Sequence, residues 1–194
     1  VVAVAASTGG PGVLHQILSL LPHDLSFPIV VVQHITPGFG GGFAQWLNGV
    51  TEIDVRIARD GEPVVPGRVL IAPEGKHLTI SPGRIVRLDG SPPINSLRPS
   101  ADRLFDSVAR AYRSSAMGVV LTGMGSDGAE GLAAIWQAGG YTIAQDEASC
   151  VVFGMPRVAI ERGVVHQVLS PEEIGALILH LDKRYRKAQV AAHR

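Results

Sequence analysis

One cysteine stands in 194 residues. Cys150 alone excludes an internal disulfide and a thiolate metal cluster, and a reducing compartment is the expectation. Charge of one sign is also missing: Lys and Arg number 17, Asp and Glu 17, and the formal net charge is zero. Nothing global therefore draws the chain to nucleic acid or to an acidic membrane surface. No apolar run approaches the ~20 residues of a membrane span, so direct membrane insertion is not expected. No basic-then-apolar leader, internal repeat or low-complexity tract is visible. The chain opens on Val1, directly on an apolar run, and reads as a piece of a longer protein. Hydrophobic residues make up 46% of it, enough for one sizeable core in a single domain.

The organising stretch is Val1-Val2-Ala3-Val4-Ala5-Ala6-Ser7-Thr8-Gly9-Gly10-Pro11. Small apolar residues without alternation predict a strand buried on both faces, as in parallel sheets. Val13, Leu14, Ile17, Leu18 and Leu21 then recur at helical spacing. Ser7 thus falls at a sharp strand-to-helix turn, where glycine permits the tight backbone and Pro11 suits the first helical turn. Such a turn lies beyond the carboxyl end of a strand, where α/β sheets place ligands. Helix-start amides point at the same spot. That geometry serves a nucleophilic serine or a phosphate cradle equally.

Within Phe27–Gln33 the apolar run Ile29-Val30-Val31-Val32 predicts a second buried strand, the alternation of Ile53–Ala58 another, and further strands are expected at Arg68–Ala72, Met117–Leu121, Tyr141–Gln145 and Val165–Leu169. A β-hairpin is expected from His77–Ile80 and Ile85–Leu88 across Ser81-Pro82-Gly83. Amphipathic helices follow Ser100, a plausible N-cap, and Gly128. Met155-Pro156 opens another, and Ser170-Pro171-Glu172-Glu173 reads as a capping box. A helix through Phe39, Phe43, Trp46 and Leu47 is weakened at its start by Gly40, Gly41 and Gly42. Alternating strands and helices predict a three-layer, doubly wound α/β fold: a mostly parallel sheet plus an antiparallel hairpin.

Three polar residues follow apolar strands in the same manner: Ser7, His34 and Asp127. A serine needs a base to take its proton, and a histidine base needs a carboxylate to fix its tautomer and stabilise the imidazolium. The order Ser…His…Asp differs from the Ser…Asp/Glu…His of the α/β-hydrolase fold, and Ala5 stands where that fold has glycine. Each residue also has a bland use: Ser7 as a helix cap, His34 as a strand-end histidine bonded to backbone, Asp127 as a turn residue. The remaining histidines (His15, His23, His77, His166, His180 and His193) show no ligand spacing, and no metal or cofactor site is expected. Cys150, Trp46 and Trp136 read as core. The rival is Gly123-Met124-Gly125-Ser126-Asp127-Gly128, which fits G-x-G-x-x-G, with Asp146 and Glu147 about twenty residues on. A nucleotide-binding domain is disfavoured because Asp127 would set a carboxylate beside the pyrophosphate.

ASTGGP at 6–11, VVQHITPGF at 31–39, IAPEGKHL at 71–78, RPSADRLFDSVA at 98–109, LTGMGSDGAEGL at 121–132, AQDEAS at 144–149 and VFGMPR at 152–157 together carry a resemblance. The chain resembles the CheB family, the protein-glutamate methylesterases of bacterial chemotaxis, over roughly Val1 to Leu179. The resemblance implies hydrolysis of glutamyl methyl esters on the cytoplasmic helices of methylated chemoreceptors, with possible glutamine deamidation, in the cytoplasm. It implies Ser7 as nucleophile, His34 as general base and acid, and Asp127 as the orienting carboxylate. The backbone N–H groups of Thr8 and Met124 match the family's oxyanion hole. Members usually carry an N-terminal receiver domain; residues 1–194 read as the catalytic domain without it. The sequence departs from the family pattern at Gly40, after Phe39, and at Trp46, near the mouth beside His34, which bears on substrate preference. A degenerate homologue that docks receptors without hydrolysis is the binding-only alternative; the presence of all three triad residue types argues against it.

Overall fold

The computed structural model describes residues 1–192. Its centre is a seven-stranded, all-parallel sheet of β1 (Val2–Ala6), β2 (Ile29–Gln33), β3 (Asp54–Ile57), β4 (Arg68–Ile71), β7 (Met117–Val120), β8 (Tyr141–Gln145) and β9 (Gln167–Leu169). The strand order is β3-β4-β2-β1-β7-β8-β9. Separate from it, β5 (His77–Ile80) and β6 (Val86–Asp89) form the antiparallel hairpin. The helices are α1 (Gly10–Leu18), α2 (Gly40–Val50), α3 (Ala101–Tyr112), α4 (Ala129–Gln137), α5 (Met155–Glu161) and α6 (Pro171–Ala192).

The unbroken apolar runs are explained by burial on both faces. Val2, Val4 and Ala6 pack on one side with Leu14 and Ile17 of α1, Phe43 and Leu47 of α2 and Ile174 of α6. Ala3 and Ala5 face the opposite layer, with Leu104 and Phe105 of α3, Leu132 of α4, Met155 of α5 and Leu78 of the hairpin. Winding starts at β1, runs outward through β2, then returns to β7 on the other side of β1. The switch point lies there, and the carboxyl ends of β1, β2 and β7 converge on it.

Some boundaries move. β2 begins at Ile29, after Pro28, and extends one residue past the apolar run to Gln33. α1 ends at Leu18, so Leu21 is buried core but not helical. The capping box is formed: Ser170 N–H donates to Glu173, and Glu173 N–H donates to Ser170 Oγ at 3.3 Å. Trp46 and Trp136 are not core; they are 43% and 46% exposed. Each lies on the outer side of its helix, Trp46 tilted over the rings of His15 and Phe43. The glycine-rich start of α2 is held from outside, because Gly38 and Gly40 N–H donate to the Glu74 carboxylate at 2.6 and 2.5 Å. Those amides hold the Glu74 pKa below its ordinary value. No helix among the described residues is long and apolar enough to cross a membrane. His193 lies outside the described residues.

Candidate active site

Ser7 is the first residue beyond β1. Its N–H donates to Thr122 O at 3.0 Å, and its carbonyl accepts from Gly10 N–H at 2.8 Å, closing the turn. Gly9 is the N-cap of α1 with φ 82°, a left-handed conformation that any side chain would strain. Ser7 does not cap the helix with its hydroxyl. Gly123, after β7, lets the next loop press in: a Cβ there would come within 2.6 Å of Ser7 Cβ.

His34 is the first residue beyond β2. Ala6 and Gln33 are paired in register, and His34 N–H donates to Ala6 O at 2.9 Å. Ser7 and His34 therefore leave neighbouring strands at the same level. The imidazole meets Asp127 through its outer nitrogen, with Nε2 2.9 Å from Asp127 Oδ2. Both side chains are shielded, 13% and 3% exposed. Ser7 Oγ makes no hydrogen bond with His34 among the described residues.

Asp127 does lie in the turn before α4, but its side chain is buried and bonded. Its Oδ2 also accepts from Ala101 N–H at 2.6 Å, and its Oδ1 accepts from Ser100 Oγ at 2.8 Å and Asp102 N–H at 3.1 Å. Burial works to raise its pKa, but the His34, Ala101, Asp102 and Ser100 donors win and hold it at about 2. Asp127 is thus a carboxylate and accepts only, so His34 Nε2 is the donor of this pair. Ser100 is the N-cap residue of α3, yet its hydroxyl does not cap the helix. It serves Asp127 instead, and Asp127 caps α3 from another segment.

Three supports were not legible beforehand. Gln33 is buried, and its Nε2 donates to both Ser7 O and His34 O at 2.8 Å. The only signal was a polar residue ending an apolar run. Asp102 accepts from Gly128 and Gly131 N–H at the start of α4. His77, fully buried, accepts Ser100 N–H on Nδ1 at 3.2 Å.

The Thr8 and Met124 amides donate to no protein acceptor among the described residues. Met124 is 74% exposed, so its side chain is not needed for packing. A cavity of about 160 Å3 lies beside His34, lined also by Ile35, Glu74, Leu97 and Arg98. The nucleotide reading fails on the structure. The amides that would receive a phosphate at α4 are occupied by the Asp102 carboxylate, and Asp146 is engaged with Ser149. Among the described residues no three His, Cys, Asp or Glu side chains converge as a metal site. Cys150 is partly buried, and burial pushes its thiol up to about 11.

The doubly wound α/β sheet brings a serine and a carboxylate-held histidine to adjacent strand ends, where folds of this class place their sites. The chain belongs to the CheB methylesterase family, whose model matches residues 2–178. A protein-glutamate methylesterase/protein-glutamine glutaminase of Anaeromyxobacter dehalogenans is 51% identical over 94% of this chain and 53% of its own length. One from Salmonella typhimurium is 47% identical over 92% of this chain and 52% of its own. The crystal structure of the Thermotoga maritima CheB methylesterase catalytic domain superposes with a TM-score of 0.90 at 43% identity, covering 93% of this chain and 97% of that one. The chain spans about half the length of the curated relatives it matches.

Proposed function

We propose that this chain hydrolyses glutamyl methyl esters on the cytoplasmic helices of chemoreceptors. The observation that carries the reading is the His34–Asp127 pair set beside Ser7 at the end of adjacent strands. The names of the relatives supply the substrate class.

In this reading, Ser7 Oγ attacks the ester carbonyl and gives its proton to His34 Nδ1. Asp127 stabilises the imidazolium through Nε2. The Thr8 and Met124 amides receive the oxyanion, preorganised because no acceptor among the described residues competes for them. Collapse breaks the acyl–O bond, and His34 returns the proton to the leaving oxygen as methanol. A water then attacks the acyl-serine with His34 as base, restoring Ser7 and leaving a glutamate carboxylate. The same steps on a glutamine side chain release ammonia, so deamidation needs no further group. The length of the relatives that this chain does not cover supports an additional domain, and an N-terminal receiver that covers the Ser7–His34 mouth is the expected one.

The test is Ser7 labelling by a serine-directed phosphonate, followed by release of labelled methanol from methylated receptor membranes. Labelling at Ser7 with methanol release is the expected result. Methanol release without labelling at Ser7 would remove the assignment.

A further inference from the structure

Helices α3 and α4 exchange carboxylates. Asp127 stands just before α4 and accepts the first amides of α3, Ala101 and Asp102. Asp102 stands in the first turn of α3 and accepts the amides of Gly128 and Gly131 at the start of α4, both at 2.8 Å. The helices touch where this happens: a Cβ on Gly131 would lie 2.6 Å from Phe105 Cβ and 2.7 Å from Asp102 O. Only Asp127 meets His34. Where Asp127 sits is set by both anchors, and the second belongs to Asp102.

Asp102 has no cationic partner among the described residues. It faces Asp127 on the inner side. On the outer side lies a cleft it shares with Arg103, Asp106 and Arg110 of its own helix, Glu130 of α4 and Arg87 of β6. Arg103 is paired with Asp89, Arg110 with Asp106, and Glu130 with Arg162. Arg87 is the one cleft arginine with no ion pair among the described residues, and it does not bridge to Asp102, so an ionised Asp102 adds negative charge behind Asp127. A protonated Asp102 removes that charge and turns a donor toward Asp127, in competition with His34.

We propose that Asp102 is a positioning residue for the hydrolytic site, tying the loop that carries Asp127 and Met124 to α3 and holding Asp127 against His34. This rests on the reading of Ser7 as nucleophile and His34 as base. Burial, helped by the Asp127 charge and opposed by the Gly131 and Gly128 amides, raises the Asp102 pKa to about 6. Its ionisation then falls inside the working range of an esterase assay.

The experiment is the second-order rate of phosphonate labelling at Ser7 between pH 5 and 9 in the wild type, Asp102→Asn and Asp102→Glu, with circular dichroism melts beside it. Asn keeps an acceptor for the α4 amides and removes the charge. Its labelling rate at pH 7.5 should fall about tenfold, the order expected for a unit charge acting over a short distance inside protein. Its acid limb should reduce to one ionisation. Asp102→Glu should restore part of the rate and the second ionisation. A purely structural role would alter the melts and leave the pH profile alone. A labelled wild type with an Asn variant unchanged in rate and profile overturns the proposal only. An unlabelled wild type overturns the reading of the site and this proposal with it. Should Asn not fold, Asp102→Glu decides: a displaced pH profile supports the role and an unchanged one overturns it.

Discussion

His34 turns Nε2, not Nδ1, to Asp127, at 2.9 Å. In the proposed mechanism the base is Nδ1, the nitrogen nearer the backbone, while the carboxylate holds the outer end of the ring. In the chymotrypsin arrangement the two nitrogens have the opposite duties.

Asp127→Asn tests that pairing. Asparagine offers one accepting oxygen, whereas Asp127 takes four donors, from His34, Ala101, Ser100 and Asp102. Its amide must face at least one of them. Turnover should fall by about 10⁴, as when a triad carboxylate is neutralised. The change also costs about 1–3 kcal/mol of stability from unsatisfied buried donors. Steady-state kinetics and denaturant titration read the two effects separately; a fully active variant would show that Asp127 does not serve His34.

Met124→Leu should be nearly silent. The side chain is exposed, and the proposed mechanism uses only the backbone amide. A fall in kcat of more than about 10²-fold, the scale of losing a donor, would mean that the loop has moved or the side chain takes part.

Gly10→Ala should be harmful through Gln33. A Cβ at position 10 would overlap Gln33 Oε1, and Gln33 joins the carbonyls of Ser7 and His34. Displacing it costs about 1–3 kcal/mol as overpacking and loosens the spacing of nucleophile and base. Loss of kcat larger than the loss of thermal stability explains is expected; a variant with wild-type kinetics would show that Gln33 does not set the spacing.

The two exchanged carboxylates oppose each other in acid. Asp127 has a folded pKa of about 2 against an ordinary 3.8. Its stabilisation, about 2 kcal/mol, is complete above pH 4 and lost as pH falls through 2. Asp102 is raised to about 6 from 3.8, so the folded state holds its proton more tightly and stability from this group declines between pH 4 and 6. Asp102→Asn should therefore shrink the difference in Tm between pH 4.5 and 7.5. An undiminished difference would show that Asp102 ionises freely in the fold.

The fold was legible because its signal is local. Unbroken apolar runs such as Ala3–Ala6 and Val30–Val32 mark doubly buried strands, and Ser7 and His34 follow them directly. Asp127 was legible as a carboxylate on the same rim, but not as the cap of α3, because that contact spans 25 residues or more of sequence. Ser100 looked like a cap by type and gave its hydroxyl to Asp127 instead. Gln33, Asp102 and Glu74 act on backbone amides or carbonyls of distant segments, and sequence spacing carries no mark of such partners. The two tryptophans misled because an apolar ring at helical spacing does not say which side of the helix meets the sheet.

Methanol release from methylated receptor membranes, by the wild-type chain and by Ser7→Ala, tests the central claim most directly. Alanine at position 7 removes only Oγ and keeps the N–H bond to Thr122 O, so the fold survives. The wild type should release methanol, and Ser7→Ala should release none above the membranes alone. Equal release by the two proteins would contradict hydrolysis through Ser7.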